Sequence, residues 1–134
     1  MTGGAGFIGS HVAAYYDERG VEVTALDNLS RLKTLETANS ERDTAEYNWR
    51  YLADSHSDVT RVNADVREYD RLESVVEGHD GIVHTAGQVA VTTSLSDSTL
   101  DFEVNARGTF NVLEAASNAN SDPAVVYAST NKVY

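Results

Sequence analysis

Thr2-Gly3-Gly4-Ala5-Gly6-Phe7-Ile8-Gly9-Ser10 is the stretch that decides the fold. Gly3, Gly6 and Gly9 stand in the spacing G-x-x-G-x-x-G. That spacing lets a chain turn tightly, bring bare backbone up to phosphate oxygens and pack the next helix against a sheet. A helix starting directly after such a turn offers free N–H groups and the positive end of its dipole to an anion. An ordinary tight turn has the same composition, so the weight rests on the residues downstream of it. Residues 7–19 carry Phe7, Ile8, Val12, Tyr15 and Tyr16 at mostly helical spacing, and Gly20 is placed as a helix stop. Residues 21–26 then predict a strand with Asp27 at its tip, 18 positions beyond Gly9. A carboxylate near that offset accepts hydrogen bonds from the hydroxyls of an adenosine ribose. It also repels a 2′-phosphate, which favours NAD over NADP; the alternative for Asp27 is a solvated loop acid.

Composition bounds the rest. The chain has 134 residues, enough for one domain, and 41% of them are hydrophobic, as in ordinary globular proteins. No apolar run approaches the length of a membrane span. There is no cysteine, hence no disulfide framework and no thiolate metal site. The formal net charge of −11, from 21 acidic and 10 basic residues, argues against nucleic acid or an anionic membrane as a partner. Only Lys33 and Lys132 among the basic residues are lysine. That balance fits either an acidic cytosolic protein or one adapted to high salt. With no basic, apolar leader ahead of the glycine loop, the expected setting is the cytoplasm.

Beyond Asp27 the pattern alternates strand and helix, which predicts an α/β fold, a Rossmann-type doubly wound parallel sheet covered on both faces. Strands are expected at 59–63, 81–84 and 124–128, a short helix at 70–77, and a long helix at 100–119 with Phe102, Val104, Phe110, Val112, Leu113 and Ala116 inward. The polar segment 29–58 is expected to be a surface excursion with a helical piece around 44–52, packed down by Trp49 and Tyr51.

In such a sheet the ligand sits beyond the carboxyl ends of the strands, so four groups are candidates. Asp65-Val66-Arg67 follows the strand at 59–63, where a carboxylate and a backbone amide meet an adenine edge; the alternative for Asp65 is a helix N-cap. His84-Thr85-Ala86-Gly87-Gln88 follows the next strand, with small residues where backbone would run close to a dinucleotide; His84 itself reads first as a packed strand-end histidine and second as a catalyst. Asn105, in the long helix, either braces that loop or the active site, or is simply a satisfied buried amide. Ser129-Thr130-Asn131-Lys132-Val133-Tyr134 follows the last strand, where a hydroxyl would face the cleft.

Together these residues resemble the extended short-chain dehydrogenase/reductase family, the NAD-dependent sugar-nucleotide epimerases and dehydratases. Gly3-Gly4-Ala5-Gly6-Phe7-Ile8-Gly9 is similar to its glycine loop, Asp27-Asn28-Leu29 to its ribose clamp, Asp65-Val66 to its adenine contact, and Asn105-Ala106-Arg107-Gly108-Thr109 to its N-x-x-G-T helix. Residues 86–94 and 129–134 look most like the CDP-paratose 2-epimerase branch. The resemblance implies cofactor contacts at Gly3, Gly6, Phe7, Ile8, Gly9, Asp27, Asn28, Asp65, Val66, Ala86, Gly87, Gln88 and Asn105. It implies a nucleotide-sugar substrate, a CDP-hexose, oxidised transiently at C2 by bound NAD and reduced again from the other face. It also implies a homo-oligomer at full length.

Within that resemblance Thr130 matches the hydroxyl that holds the reacting sugar. The family's Y-x-x-x-K pair is absent: the residues four positions before Lys33 and Lys132 are Leu29 and Ala128. A phenol needs that neighbouring cation to act as a base near neutral pH. The related 4,6-dehydratases place acids directly after the Thr, where this chain has Asn131 and Lys132, which favours epimerisation. In strand order 3-2-1-4-5-6 the strand ahead of the glycine loop is the centre of the sheet, and only Met1 precedes the loop here. The sequence therefore predicts one partial NAD-binding domain over 1–134, with two open inner sheet edges and with the catalytic and substrate half lying beyond it.

Overall fold

The computed structural model describes residues 1–30 and 39–129. Helix α1 (Phe7–Asp17) follows the glycine loop and ends ahead of Gly20, whose φ of 73° is the left-handed turn anticipated there. Strand β1 is Thr24–Asp27, helix α2 Asn39–Ser55, strand β2 Thr60–Asn63 and helix α3 Tyr69–Val76. Strand β3 is Gly81–His84, and after it come helix α4 (Val91–Ser96) and helix α5 (Ser98–Phe102). A π-helical turn, Glu103–Arg107, leads into helix α6 (Gly108–Asn118) and strand β4 (Ala124–Tyr127). No helix among the described residues is long and apolar enough to cross a membrane.

All strand pairs are parallel. β1 runs beside β2 with Thr24 opposite Thr60, and β3 beside β4 with Gly81 opposite Ala124. Between the two pairs stand Met1 and Thr2. Thr2 bridges in parallel to both Leu26 and His84. Thr2 N donates to Val83 O (3.0 Å), Thr85 N to Thr2 O (3.3 Å) and Leu26 N to Met1 O (2.8 Å). The order is therefore β2-β1-(Met1-Thr2)-β3-β4, with two residues at the centre. The expected gap is closed at the carboxyl ends of the strands, where the ligand side lies, so two open inner edges are not what the molecule shows there. At the other end the Met1 ammonium donates to Thr24 O (2.8 Å), and burial lowers its pKa to about 6.

Strand alternation sorts the core into two layers. Leu26 faces Leu72, Val76, Ile82, Val112 and Ala115 under α3 and α6, while Ala25 faces Ala13, Ala14, Leu52 and Val59 under α1 and α2. Fully burying side chains of this size contributes about 1.5–3 kcal/mol for each Leu, Ile or Val. Leu52 is wholly buried, and Trp49 and Tyr51 pack α2 down on the same layer as expected, so the helix contributes to the core as well as covering the surface.

Which face each helix buries is decided by packing. In α1 the buried face is Gly9, Ser10, Ala13 and Ala14, whereas Phe7, Ile8, Tyr15 and Tyr16 are exposed. Close packing of a helix on a sheet selects small residues, and a hydrophobicity count selects large ones. Of the residues expected inward at 100–119, Val112 and Ala116 are buried, together with Gly108, Asn111 and Ala115, while Phe102, Phe110 and Leu113 are exposed. The predicted single helix is broken by the π turn, whose wider winding rotates the following face away from the one that precedes it.

Candidate functional site

The glycine loop is built by main-chain contacts that leave no room for side chains. Gly3 has φ of 72°, and a Cβ there would lie 2.8 Å from Ala86 N. A Cβ on Gly9 would lie 2.0 Å from Gly3 O and 2.7 Å from Gly3 C. The first turn of α1 thus presses directly on the loop that precedes it. Its first helical bond runs from Ser10 N to Gly6 O (3.0 Å), and Gly6 has no side-chain cap. Phe7, Ile8 and Gly9 amides stand ahead of that bond, so the helix supplies them no acceptor, and their N–H groups and the helix dipole form a receptor for an anion.

At the tip of β1, Asp27 is tied to this loop. Its Oδ2 accepts from Ala5 N (3.0 Å) and its Oδ1 from Leu29 N (2.8 Å). Beside it lies an open cleft of about 350 Å³ lined by Asn28, Ser30, Asn63, Asp65 and Arg67 among others. Asp65 is the hub of that cleft. Its Oδ1 accepts from Arg67 N and Nε (2.9 Å each), and its Oδ2 from Arg67 Nη2 and Asn28 Nδ2 (2.7 Å each). Burial would raise the Asp65 pKa, but the Arg67 side-chain and backbone hydrogen bonds, the Asn28 bond and the Arg67 charge outweigh it and hold it at about 2. The same pairing raises the pKa of Arg67. The N-cap alternative for Asp65 is not realised, because the N-cap position of α3 is Glu68, whose side chain makes no capping bond. Val66 is buried in the layer beneath, with its carbonyl accepting from Asn111 Nδ2 (3.0 Å).

After β3, the loop Ala86-Gly87-Gln88 is fastened by Asn105 from the π turn. Gln88 N donates to Asn105 Oδ1 (2.8 Å), and Asn105 Nδ2 donates to Gln88 O and to Asp101 Oδ1 (3.1 Å each). Of the roles open to Asn105, bracing this loop is the one the structure adopts. The π turn aims that amide, which links an irregular helix to a site as such turns often do.

His84 is a packed residue, 1% exposed, set between two hydroxyls. Thr109 Oγ1 donates to Asn105 O (2.6 Å) and so accepts from His84 Nε2 (3.0 Å). That leaves Nδ1 to accept from Thr2 Oγ1 (2.6 Å). The ring is held neutral, and burial with the nearby Met1 ammonium lowers its pKa to about 4. The first of the two readings of His84 is therefore correct. The chain of hydroxyl, imidazole and hydroxyl links the strand before the glycine loop to the turn that carries Asn105.

The structure thus groups Gly3, Gly6, Phe7, Ile8, Gly9, Asp27, Asn28, Asp65, Ala86, Gly87, Gln88 and Asn105 along the carboxyl edge of one sheet, with Val66 below it. Thr130 lies outside the described residues, as do Lys33 and residues 131–134. The roles of Thr2, Asn48 and Thr109 are not apparent from sequence pattern. Helical spacing from Leu52 places Asn48 on the same helix face, but it does not indicate the bond the amide makes.

A parallel sheet with a glycine loop running into a helix, an acid at the next strand tip and a cleft beside it defines a dinucleotide-binding protein of the Rossmann class. Residues 1–134 match the NAD dependent epimerase/dehydratase family over their whole length, and the chain belongs to that family. It is 36% identical to the CDP-paratose 2-epimerase of Salmonella typhi over 136 aligned residues, which cover 100% of this chain and 37% of that enzyme. Among solved structures, a double mutant of the dTDP-glucose 4,6-dehydratase DesIV from Streptomyces venezuelae, with NAD and DAU bound, superposes with a TM-score of 0.75 at 33% identity, covering 99% of this chain and 39% of that one. The UDP-glucose 4-epimerase of Stenotrophomonas maltophila, solved with bound NAD and formylated UDP-arabinopyranose, gives a TM-score of 0.73 at 26% identity, covering 99% of this chain and 37% of that one. The chain spans little more than a third of the length of these relatives. NAD is the cofactor of the family.

Proposed function

We propose that this chain holds the NAD of a nucleotide-sugar 2-epimerase of the CDP-paratose type. The observation that carries the cofactor reading is the main-chain contact of Gly9 on Gly3 beside the Ala5–Asp27 hydrogen bond, a cradle that any Cβ would fill. The first-turn amides at Phe7, Ile8 and Gly9 receive the pyrophosphate, and Asp27 receives the adenosine ribose. Asn28, Asp65 and the Val66 backbone face the adenine, and the braced Ala86-Gly87-Gln88 loop runs along the remaining half. Thr130, by resemblance, holds the reacting hydroxyl. Bound NAD supplies a reversible hydride acceptor, so that C2 of the hexose inverts with no net redox change.

Two features support this reading, the first for the CDP-sugar branch and the second for epimerisation over dehydration. One is the similarity to the Salmonella typhi enzyme, and the other is Asn131-Lys132 where dehydratases carry acids. The test is to incubate the protein, expressed from its own gene, with CDP-paratose carrying deuterium at C2 and with UDP-sugars. Epimerisation at C2 with the label retained and no NADH accumulating is the expected result. Turnover of UDP-sugars alone, or elimination of water, refutes the substrate assignment.

A further inference from the structure

We infer that Asn48, on helix α2, is a positioning residue for the dinucleotide pyrophosphate; the inference rests on the NAD reading above. Asn48 is only 4% exposed and shares a helix face with the wholly buried Leu52. A buried amide costs free energy unless it is hydrogen-bonded, and an apolar side chain would fill such a place more cheaply. The amide has a partner of a particular kind: Nδ2 donates to Ala5 O (3.1 Å).

Ala5 is itself 3% exposed, and its N–H is already held by Asp27 Oδ2 (3.0 Å). Both polar backbone atoms of one loop residue are therefore gripped, one from the tip of β1 and one from α2. Because a peptide unit is planar, fixing Ala5 O also fixes the direction of the Gly6 N–H, which donates to Gly3 O (3.0 Å). Gly6, at the other end of that plane, is the N-cap residue from which the first turn of α1 starts.

The far end of α2 is tied down as well. His56, 6% exposed, lies between Asp17 Oδ2 (2.7 Å from Nδ1) and Tyr51 OH (2.8 Å from Nε2). Asp17 is the last residue of α1. Helix α2 is thus a splint along α1, fastened to its last residue through His56 and to the loop before its first residue through Asn48. A segment that in sequence looks like an insertion between β1 and β2 is what holds the anion-receiving amides in line.

The test compares ADP, which carries the pyrophosphate, with adenosine, which does not, as ligands of the wild-type protein and of the Asn48→Asp and Asn48→Ser variants by calorimetric titration. Asn48→Asp keeps the shape but has no N–H to donate, and Asn48→Ser, which adds no charge that could itself repel the pyrophosphate, must show the same selectivity and serves alone if the first variant does not fold. The expected result is at least a tenfold loss of ADP affinity with adenosine affinity changed less than twofold. A purely structural role would move both ligands together; that outcome, or no change in either, overturns the inference. If wild-type protein binds neither ADP nor NAD, the NAD reading itself fails, and this inference with it.

Discussion

Replacing Gly9 by alanine isolates the contact on which the cofactor site depends. The new Cβ would stand 2.0 Å from Gly3 O, short of an ordinary 3.4 Å contact by about 1.4 Å, and both atoms it meets there are main chain. Gly3 has little room of its own, since a Cβ on it would come within 2.9 Å of the Thr85–Ala86 peptide. The start of α1 must therefore move by more than an ångström. Overpacking of this kind costs about 1–3 kcal/mol of stability, and the rigidity of the neighbours puts Gly9→Ala at about 3 kcal/mol. The same movement takes two first-turn amides out of hydrogen-bond range of a pyrophosphate. At about 1.5–3 kcal/mol for each bond to a charged group, NAD affinity should fall by roughly a hundredfold or more. Gly20→Ala is the control, since its left-handed φ strains alanine but its Cβ would meet nothing within 4 Å. That variant should lose about 1 kcal/mol and keep its NAD affinity. Thermal unfolding and calorimetric titration with NAD read both effects. A Gly9→Ala protein that binds NAD within threefold of wild type at an unchanged melting temperature would refute the reasoning.

The buried network gives two further expected outcomes. His84 titrates near pH 4 in the folded chain and near 6.5 when unfolded, so the unfolded state binds more protons between those values and stability falls as pH drops through them. Between pH 7 and pH 5 its contribution should shrink by about 2 kcal/mol, and urea titrations of His84→Gln against wild type should show the variant lacking that part of the slope; equal slopes count against the assignment. In Arg67→Ala the guanidinium that opposes burial is gone, so the Asp65 carboxyl should titrate well above its wild-type value of about 2 by carbon-detected NMR, and the part of the stability lost on acidification through its wild-type titration should shrink. Titration of Asp65 unchanged by the substitution would show that Asn28 and the Arg67 amide alone hold it.

Much of the fold is legible in the chain because strand alternation and loop chemistry are local. The spacing of Gly3, Gly6 and Gly9, the strand ending in Asp27, the strand at 81–84 and the acid after β2 each depend on neighbours within a few residues, and each is found where expected. Helix faces are different, since what a helix buries is set by how close its partner comes. Gly9, Ala13 and Ala14 lie against the sheet because they are small, and Phe7 and Tyr15 look outward despite being apolar. The π turn at Glu103–Arg107 is likewise invisible to a 3.6-residue period.

By itself the sequence determined the class of fold, the family and the positions of the glycines and acids that line the carboxyl edge of the sheet, because tight turns and strand ends demand those residue types at those intervals. Only the tertiary structure decided that two residues, Met1 and Thr2, stitch the strand pairs together. It alone set His84 neutral between two hydroxyls and brought Asn48 onto a loop residue 43 positions away. Those contacts join segments far apart in the chain, and no local pattern encodes a hydrogen bond whose partner arrives only when the layers close.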